Sequence, residues 1–479
     1  MVTRMLSLCR ALAARRGWRV QRSASCAGTL AHALAGTLLG VAAAVPLVLP
    51  SARAGDGLVE RGGPDGAGAL ASSLASSSPP ALAWEQRFGT CEGDEAYGVA
   101  FDHGGRVVVV GATGGSFAGP WAGAADAFVQ SFDVAGGIAW QSQVGTGAWD
   151  VARAVAVDPV GRVVVVGGTE ADLVGPNAGR GDAFVLAFGG AGELAWSTQF
   201  GTDEWDEAWA VAVDEDGAVV VVGSTAGALA GPRVGWSDAF VRRYDRDDRV
   251  MWQEQFGGDG DAMATGVAVD ALGRVAISGR IESRREGETA LTWDGVVRVY
   301  AVDGRELWDD RLEAGLWGAA WGVAVGADGR VAVAGAASGS LAGPSVGSVD
   351  AFVRVYDAVG GVVWEDRFGV GDWDEALGVS VTSDGGVVVV GRSRTGLAPE
   401  GWDRWAAFVR AYDGDGRLRW HDRFGDEHTT AWAVATDALG RVAVAGATLG
   451  DTSPPCHDWL DAFVRVYEAP PRESGGVWD

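Results

Sequence analysis

Two sets of side chains in this 479-residue sequence have types and spacings suited to chemistry: tryptophans set beside acids, and a widely separated cysteine pair. Trp149, Trp205, Trp317 and Trp373 share one aligned position, and Tyr97, Trp209, Trp321 and Trp432 share another a few residues on. Asp94, Asp150, Asp206 and Asp374 lie between the two sets. Flat indole faces with carboxylates beside them can stack on sugar rings or hold a cation, so these residues form a candidate binding rim. The competing expectation is packing between neighbouring structural units, the commoner fate of large aromatics.

Other constellations are missing. His103, His421, His428 and His457 have no partner at metal-ligand spacing, and Cys456-His457-Asp458 is the nearest approach to one. The acidic loops at 214–217 and 413–416 do not complete a calcium-binding set, and Asp with Gly is what hairpin turns require anyway. There is no phosphate-cradling glycine loop and no paired His/Ser or His/Cys arrangement. No metal, cofactor or catalytic residue is therefore expected.

The elements that position these residues follow from a repeat. Trp84, Trp140, Trp196, Trp252, Trp308, Trp364 and Trp420 recur every 56 residues, so one unit occurs seven times. Each unit carries four strand signals with alternating apolar residues, separated by Gly- and Asp-rich turns. The run VVVVG at 107, 163, 219 and 387 is apolar on both faces, as in a strand covered from both sides. Asp126, Asp182, Asp238, Asp294, Asp350 and Asp461 head the last strand of their units. They read as acceptors fixing a loop-to-strand junction, with the threonines Thr113, Thr169, Thr225 and Thr448 as expected partners. Arg242, Arg298, Arg354, Arg410 and Arg465, four residues further on, read as inter-blade ion-pair partners. The fold expected is all-β, a seven-bladed β-propeller of four-stranded blades.

The recurring string W..QFGT...D.A..VAVD..G.VVVVG.T.G...G.....DAFV..YD..G...W resembles the SBBP-type β-propeller repeat of exported bacterial proteins over residues 84 to 468. That resemblance implies a propeller and export, and by itself no activity. Three places depart from the pattern: Ala406 replaces the junction aspartate, unit four reads DGVV from Asp294, and Leu312-Glu313 replaces FG in unit five.

Residues 1–54 read as an export signal, with an arginine-rich start, an apolar stretch at 30–50 and Ala52-Arg53-Ala54 as the cleavage pattern. An uncleaved anchor is the alternative, disfavoured by Pro46, Pro50 and the alanine-rich composition. Cys26 precedes the apolar stretch, the wrong side for lipid attachment. Residues 55–83 read as a flexible linker, 84–468 as the propeller and 469–479 as a tail. The formal charge of -25 deepens once the seven arginines of the signal are gone. Such a polyanion repels nucleic acid and anionic lipid, so neither is expected as a partner.

The function expected is a non-enzymatic, monomeric binding scaffold in the periplasm, on the cell surface or outside the cell. Its expected partner is a glycan or another exported protein, without stable membrane insertion after cleavage. Two alternatives stand beside it. A quinoprotein-like propeller enzyme is suggested by YDAVGGVVW (356–364) but disfavoured by the blade count and the lack of a vicinal cysteine pair. An outer-membrane assembly factor is disfavoured by the missing lipidation site.

The ring should close through both termini. Trp84 heads a lone strand, and the strand at 461–468 has no proper successor, so the first should complete the seventh blade, antiparallel to the second. That pairing brings the end of one strand beside the start of the other, with Cys91 just past the end and Cys456 just before the start. A Cys91–Cys456 disulfide is the expectation.

Overall fold

In a computed structural model, the structure describes residues 78–469 except 285–289, 314, 398–402, 426–427 and 450–459. The described part contains twenty-eight strands, β1 to β28 in chain order, and no helix. They form seven antiparallel four-stranded sheets in a closed ring, a seven-bladed β-propeller. The export segment, most of the linker, the C-terminal tail and Cys456 lie outside the described residues.

Blade one shows how the repeat folds. It orders β2 (Asp94–Phe101), β3 (Val107–Thr113), β4 (Asp126–Phe132) and β5 (Ile138–Val144) side by side. The VVVVG strand is buried on both faces, because Val108 and Val110 pack toward blade two while Val107 and Val109 pack toward blade seven. Its glycine is required by close approach: a Cβ on Gly111 would lie 1.8 Å from the Glu95 carbonyl oxygen. The same approach recurs in every blade, where the first strand carries a β-bulge opposite that glycine.

First strands form the inner ring. These are β2, β6 (Asp150–Val157), β10 (Asp206–Val213), β14 (Ala262–Val269), β18 (Gly318–Val325), β22 (Asp374–Val381) and β26 (Thr430–Thr436), each touching the next. The residue after each bulge is small, Gly98, Ala154, Ala210, Gly266, Gly322, Gly378 or Ala433. A Cβ on Gly98 would come within 3.0 Å of the Ala154 backbone, so this position sets how tightly blades can close.

The tryptophan repeat stitches the outside. Trp84 packs flat on Gly136, a turn residue of the next blade at φ +84°, and its indole N–H donates to the Val134 carbonyl at 3.2 Å. Trp140, Trp252, Trp308 and Trp364 pack on the equivalent turn glycines. A side chain on those glycines would meet both the ring and the positive φ, so the two residues recur together. Arg298, Arg354, Arg410 and Arg465 reach acids of the preceding blade at 3.4 to 3.6 Å, whereas Arg242 donates to Gln253 at 2.9 Å; Arg242, Arg298, Arg410 and Arg465 all stack on a phenylalanine of the preceding blade.

Closure runs through the termini. β1 (Leu82–Phe88) pairs antiparallel with β28 (Leu460–Tyr467), placing Phe88 opposite Ala462 and completing blade seven from both ends of the chain. On the opposite edge Arg441 donates to the Gly105 carbonyl at 3.0 Å, as Arg162 does to Gly217 between blades two and three.

Candidate functional site

The bulge in each inner strand leaves one residue out of the ladder. Those residues are Tyr97, Arg153, Trp209, Thr265, Trp321, Leu377 and Trp432. A bulge re-aims the side chain it frees, and here it brings residues from successive blades into contact around the inner ring. Trp432 and Tyr97 lie 6.0 Å apart between ring centres, and the Arg153 guanidinium stacks 4.9 Å from Tyr97 and 4.5 Å from Trp209. Arg153 is paired with Glu207 at 2.7 Å, and the Tyr97 hydroxyl bonds to Glu95.

Two longer hairpins extend this network. β15 (Val275–Arg284) with β16 (Leu291–Tyr300), and β23 (Val387–Leu397) with β24 (Asp403–Tyr412), replace the long loop of the other blades. They carry Trp293 and Trp405 above Arg280 and Arg392, which in turn approach Trp321 and Trp432. Arg392 is paired with Glu375 at 2.6 Å. Among the described residues Arg280 has no such pair, and burial lowers its affinity for the proton despite the fields of Asp261, Glu375 and Glu282.

Of the expected rim, Tyr97, Trp209, Trp321 and Trp432 therefore belong to a half-buried girdle with arginines interleaved. Trp205, Trp317 and Trp373 are also half-buried, and Trp149 is 40% exposed. Trp317 packs against Trp373 with ring centres 5.4 Å apart and the rings tilted by 55°, and the backbones of Trp149, Trp205 and Trp373 bridge to the long loops.

The acids differ from expectation. Asp94, Asp150, Asp206 and Asp374 are buried rather than set on a rim. Asp150 accepts from the Thr146 backbone at 2.6 Å and from the hydroxyls of Thr146 and Thr169 at 2.7 and 2.5 Å. Thr90 and Thr202 do the same for Asp94 and Asp206. Thr113, Thr169 and Thr225 thus serve this first aspartate, not the one heading the last strand, and in blade seven, where Thr430 replaces that aspartate, Thr448 bonds to Thr429 instead. Asp126, Asp182 and Asp238 are served instead by Gln143, Gln199 and Gln255. Gln143 also takes N–H groups from Phe117, Ala118 and Gly119, folding the long loop over the blade. Asp294 and Asp350 receive Arg311 and Arg367 in the same way.

Burial raises the carboxyls of Asp94, Asp150, Asp206 and Asp374 above the ordinary aspartate range, although hydroxyl and backbone donors pull them back. A folded value above the unfolded one means that the native state holds more protons in that window, so stability rises as pH falls through it. Asp350 is opposite: burial works against its charge, yet the N–H groups of Val346 and Gly347 with Arg367 hold it low, and its contribution is lost only at lower pH. Relief of the -25 self-repulsion acts with the first group. The melting temperature is expected to climb from pH 7 to about pH 5 before it falls in stronger acid. A steady decline from pH 7 downward in differential scanning fluorimetry would refute this.

Beside Trp149, the two most exposed tryptophans among the described residues escaped the sequence reading. Trp121 is 51% and Trp236 66% exposed, both in long Gly/Pro-rich loops ahead of an AFV strand. Neither occupies an aligned repeat position, and their available signal was that a tryptophan had no structural reason to stand in such a loop. Among the described residues no cluster of three or more His, Cys, Asp or Glu is placed to hold a metal.

No family model matches the chain. A curated relative, the regulatory protein FlaEY of Caulobacter vibrioides, is 28% identical over 142 residues, covering 27% of this chain and only 15% of that protein. Solved structures with similarity include XC5397, a gluconolactonase of Xanthomonas campestris (TM-score 0.34, 14% identity, 82% of this chain and 96% of that one). Drosophila Plexin A in complex with Semaphorin 1b (0.41, 9%, 82% and 88%) and BBS1N in complex with ARL6DN (0.43, 10%, 83% and 98%) are others. At such identities no activity carries over to this chain.

Proposed function

We propose that this chain is an exported, SBBP-type propeller scaffold that binds a ligand without transforming it, at the face formed by its long loops and inner-strand entries. The observation that carries this reading is the exposure of Trp121, Trp149 and Trp236 at 51%, 40% and 66%. Exposed indoles on loops held by half-buried glutamines and buried aspartates form rigid stacking platforms, which favours a glycan. The non-enzymatic part is supported by the acids, since the first-strand aspartates Asp94, Asp150, Asp206 and Asp374 are buried and held by hydrogen bonds within the scaffold. Export rests on residues 1–54, and a Cys91–Cys456 bond belongs to the same proposal, supported by the β1–β28 pairing that ends at Phe88.

A glycan array tests it, using protein recovered from outside the cytoplasm, whose intact mass should begin at Gly55. Wild type is expected to bind one glycan class, and the triple variant Trp121→Ala, Trp149→Ala, Trp236→Ala to lose at least about tenfold in affinity. Its unfolding free energy should shift by only about 0.5 kcal/mol per exposed site. Equal binding by the triple variant would sink the reading.

A further inference from the structure

Blade six breaks a pairing found in the others. Asp126, Asp182, Asp238, Asp294 and Asp350 each receive a Gln or Arg from the neighbouring outer strand at 2.7 to 3.0 Å, and Arg87 sets its charge beside Asp461 in blade seven. In blade six the acid's place is taken by Ala406, which is buried, and the long loop by the β23–β24 hairpin. The outer strand still presents an arginine at the aligned position. Arg423, opposite Phe408 as Arg367 is opposite Phe352, is exposed and among the described residues forms no ion pair.

Arg423 lines a cavity of about 460 Å³ together with Arg394, Thr395, Gly371 and Asp372. Arg394 is held there by Asp372 at 3.3 Å and Asp403 at 2.6 Å, so the cavity wall keeps one oriented guanidinium beside one that has no ion-pair partner among the described residues. Trp373 adjoins Asp372 in the chain and Trp405 is the cross-strand partner of Arg394. A guanidinium has five N–H donors and no acceptor, and its fork fits a carboxylate in two-point contact.

We propose that this cavity is an oxyanion site in which a small carboxylate ligand occupies on Arg423 the place that Asp294 and Asp350 occupy on Arg311 and Arg367. The other blades are internal controls: wherever the acid is present in the chain, the arginine or glutamine is taken. Blade six alone exchanges the acid for alanine and opens a cavity against the arginine. The site is independent of the exposed tryptophans of blades one to three.

Isothermal titration with glucuronate and with sulfate, at constant ionic strength in chloride, reads the proposal. Wild type is expected to bind glucuronate saturably, Arg423→Gln to lose at least tenfold, and Arg423→Lys to retain part. Ala406→Asp, which restores a carboxylate within the chain, should also lose binding. The Trp121, Trp149 and Trp236 triple variant should bind glucuronate as wild type does, so this site and the glycan reading fail separately. Absence of saturable glucuronate binding by wild type, unchanged binding by Arg423→Gln, or tighter binding of sulfate than glucuronate would each overturn the assignment.

Discussion

A chain beginning at Gly89, and so lacking β1, is expected to lose the closed ring: it should associate through blade seven or unfold at room temperature, where the full propeller melts cooperatively. Among the described residues β1 is the strand that pairs the outer edge of β28, and an unpaired edge strand of this length is a template for association. Phe88 packs on Phe117, Phe128 and Phe132 at 5.7, 6.0 and 5.6 Å, and Trp84 on Phe132 at 5.6 Å, so the core shared by blades seven and one opens as well. The proposed Cys91–Cys456 bond would lock the same seam. It would close a loop of about 365 residues, for which chain entropy sets an upper limit of about 5 to 6 kcal/mol. Size-exclusion chromatography with thermal melting reads the truncation, and non-reducing peptide mapping reads the bond. A monomeric Gly89 chain melting like the full protein would refute this route of closure; free thiols at both positions would refute the bond.

Trp420→Ala is expected to cost about 3 to 5 kcal/mol in denaturant unfolding, the range for emptying a buried aromatic site. Its side chain is 4% exposed, sits 5.5 Å from Tyr467 and fills the core between blades six and seven with Val388, Ala411 and Val442. Trp236→Ala, at 66% exposure, should change stability by only about 0.5 kcal/mol. The contrast separates tryptophans that hold the ring from those free to meet a ligand. Equal losses in the two variants would mean that the exposed loops are part of the scaffold.

The scaffold was legible because its signals are local and copied. A tryptophan every 56 residues, four alternating strands per copy and an orphan strand at each end specify seven blades and their closure, and the structure has both. Unit four's DGVV and unit six's Ala406 were visible as departures, but not as the longer hairpins that carry Trp293 and Trp405.

The candidate rim was only half legible. Alternation along a strand says which residues share a face, and Asp94 shares the inter-blade face with Ala96, so its burial was within reach. Its hydroxyl partner was not, because Thr113 and Asp126 are themselves cross-strand neighbours and the sequence offers no choice between the two aspartates. Repeat spacing determined by itself the strand order, the blade number and the closing pair, since each depends on backbone pairing between segments that recur identically. Tertiary structure decided the rest: a one-residue bulge turned Tyr97, Arg153, Trp209 and Trp432 out of their ladders, and ring closure brought blade seven's Trp432 against blade one's Tyr97. Contacts of that kind join residues more than 50 positions apart, through side-chain directions that no single repeat encodes.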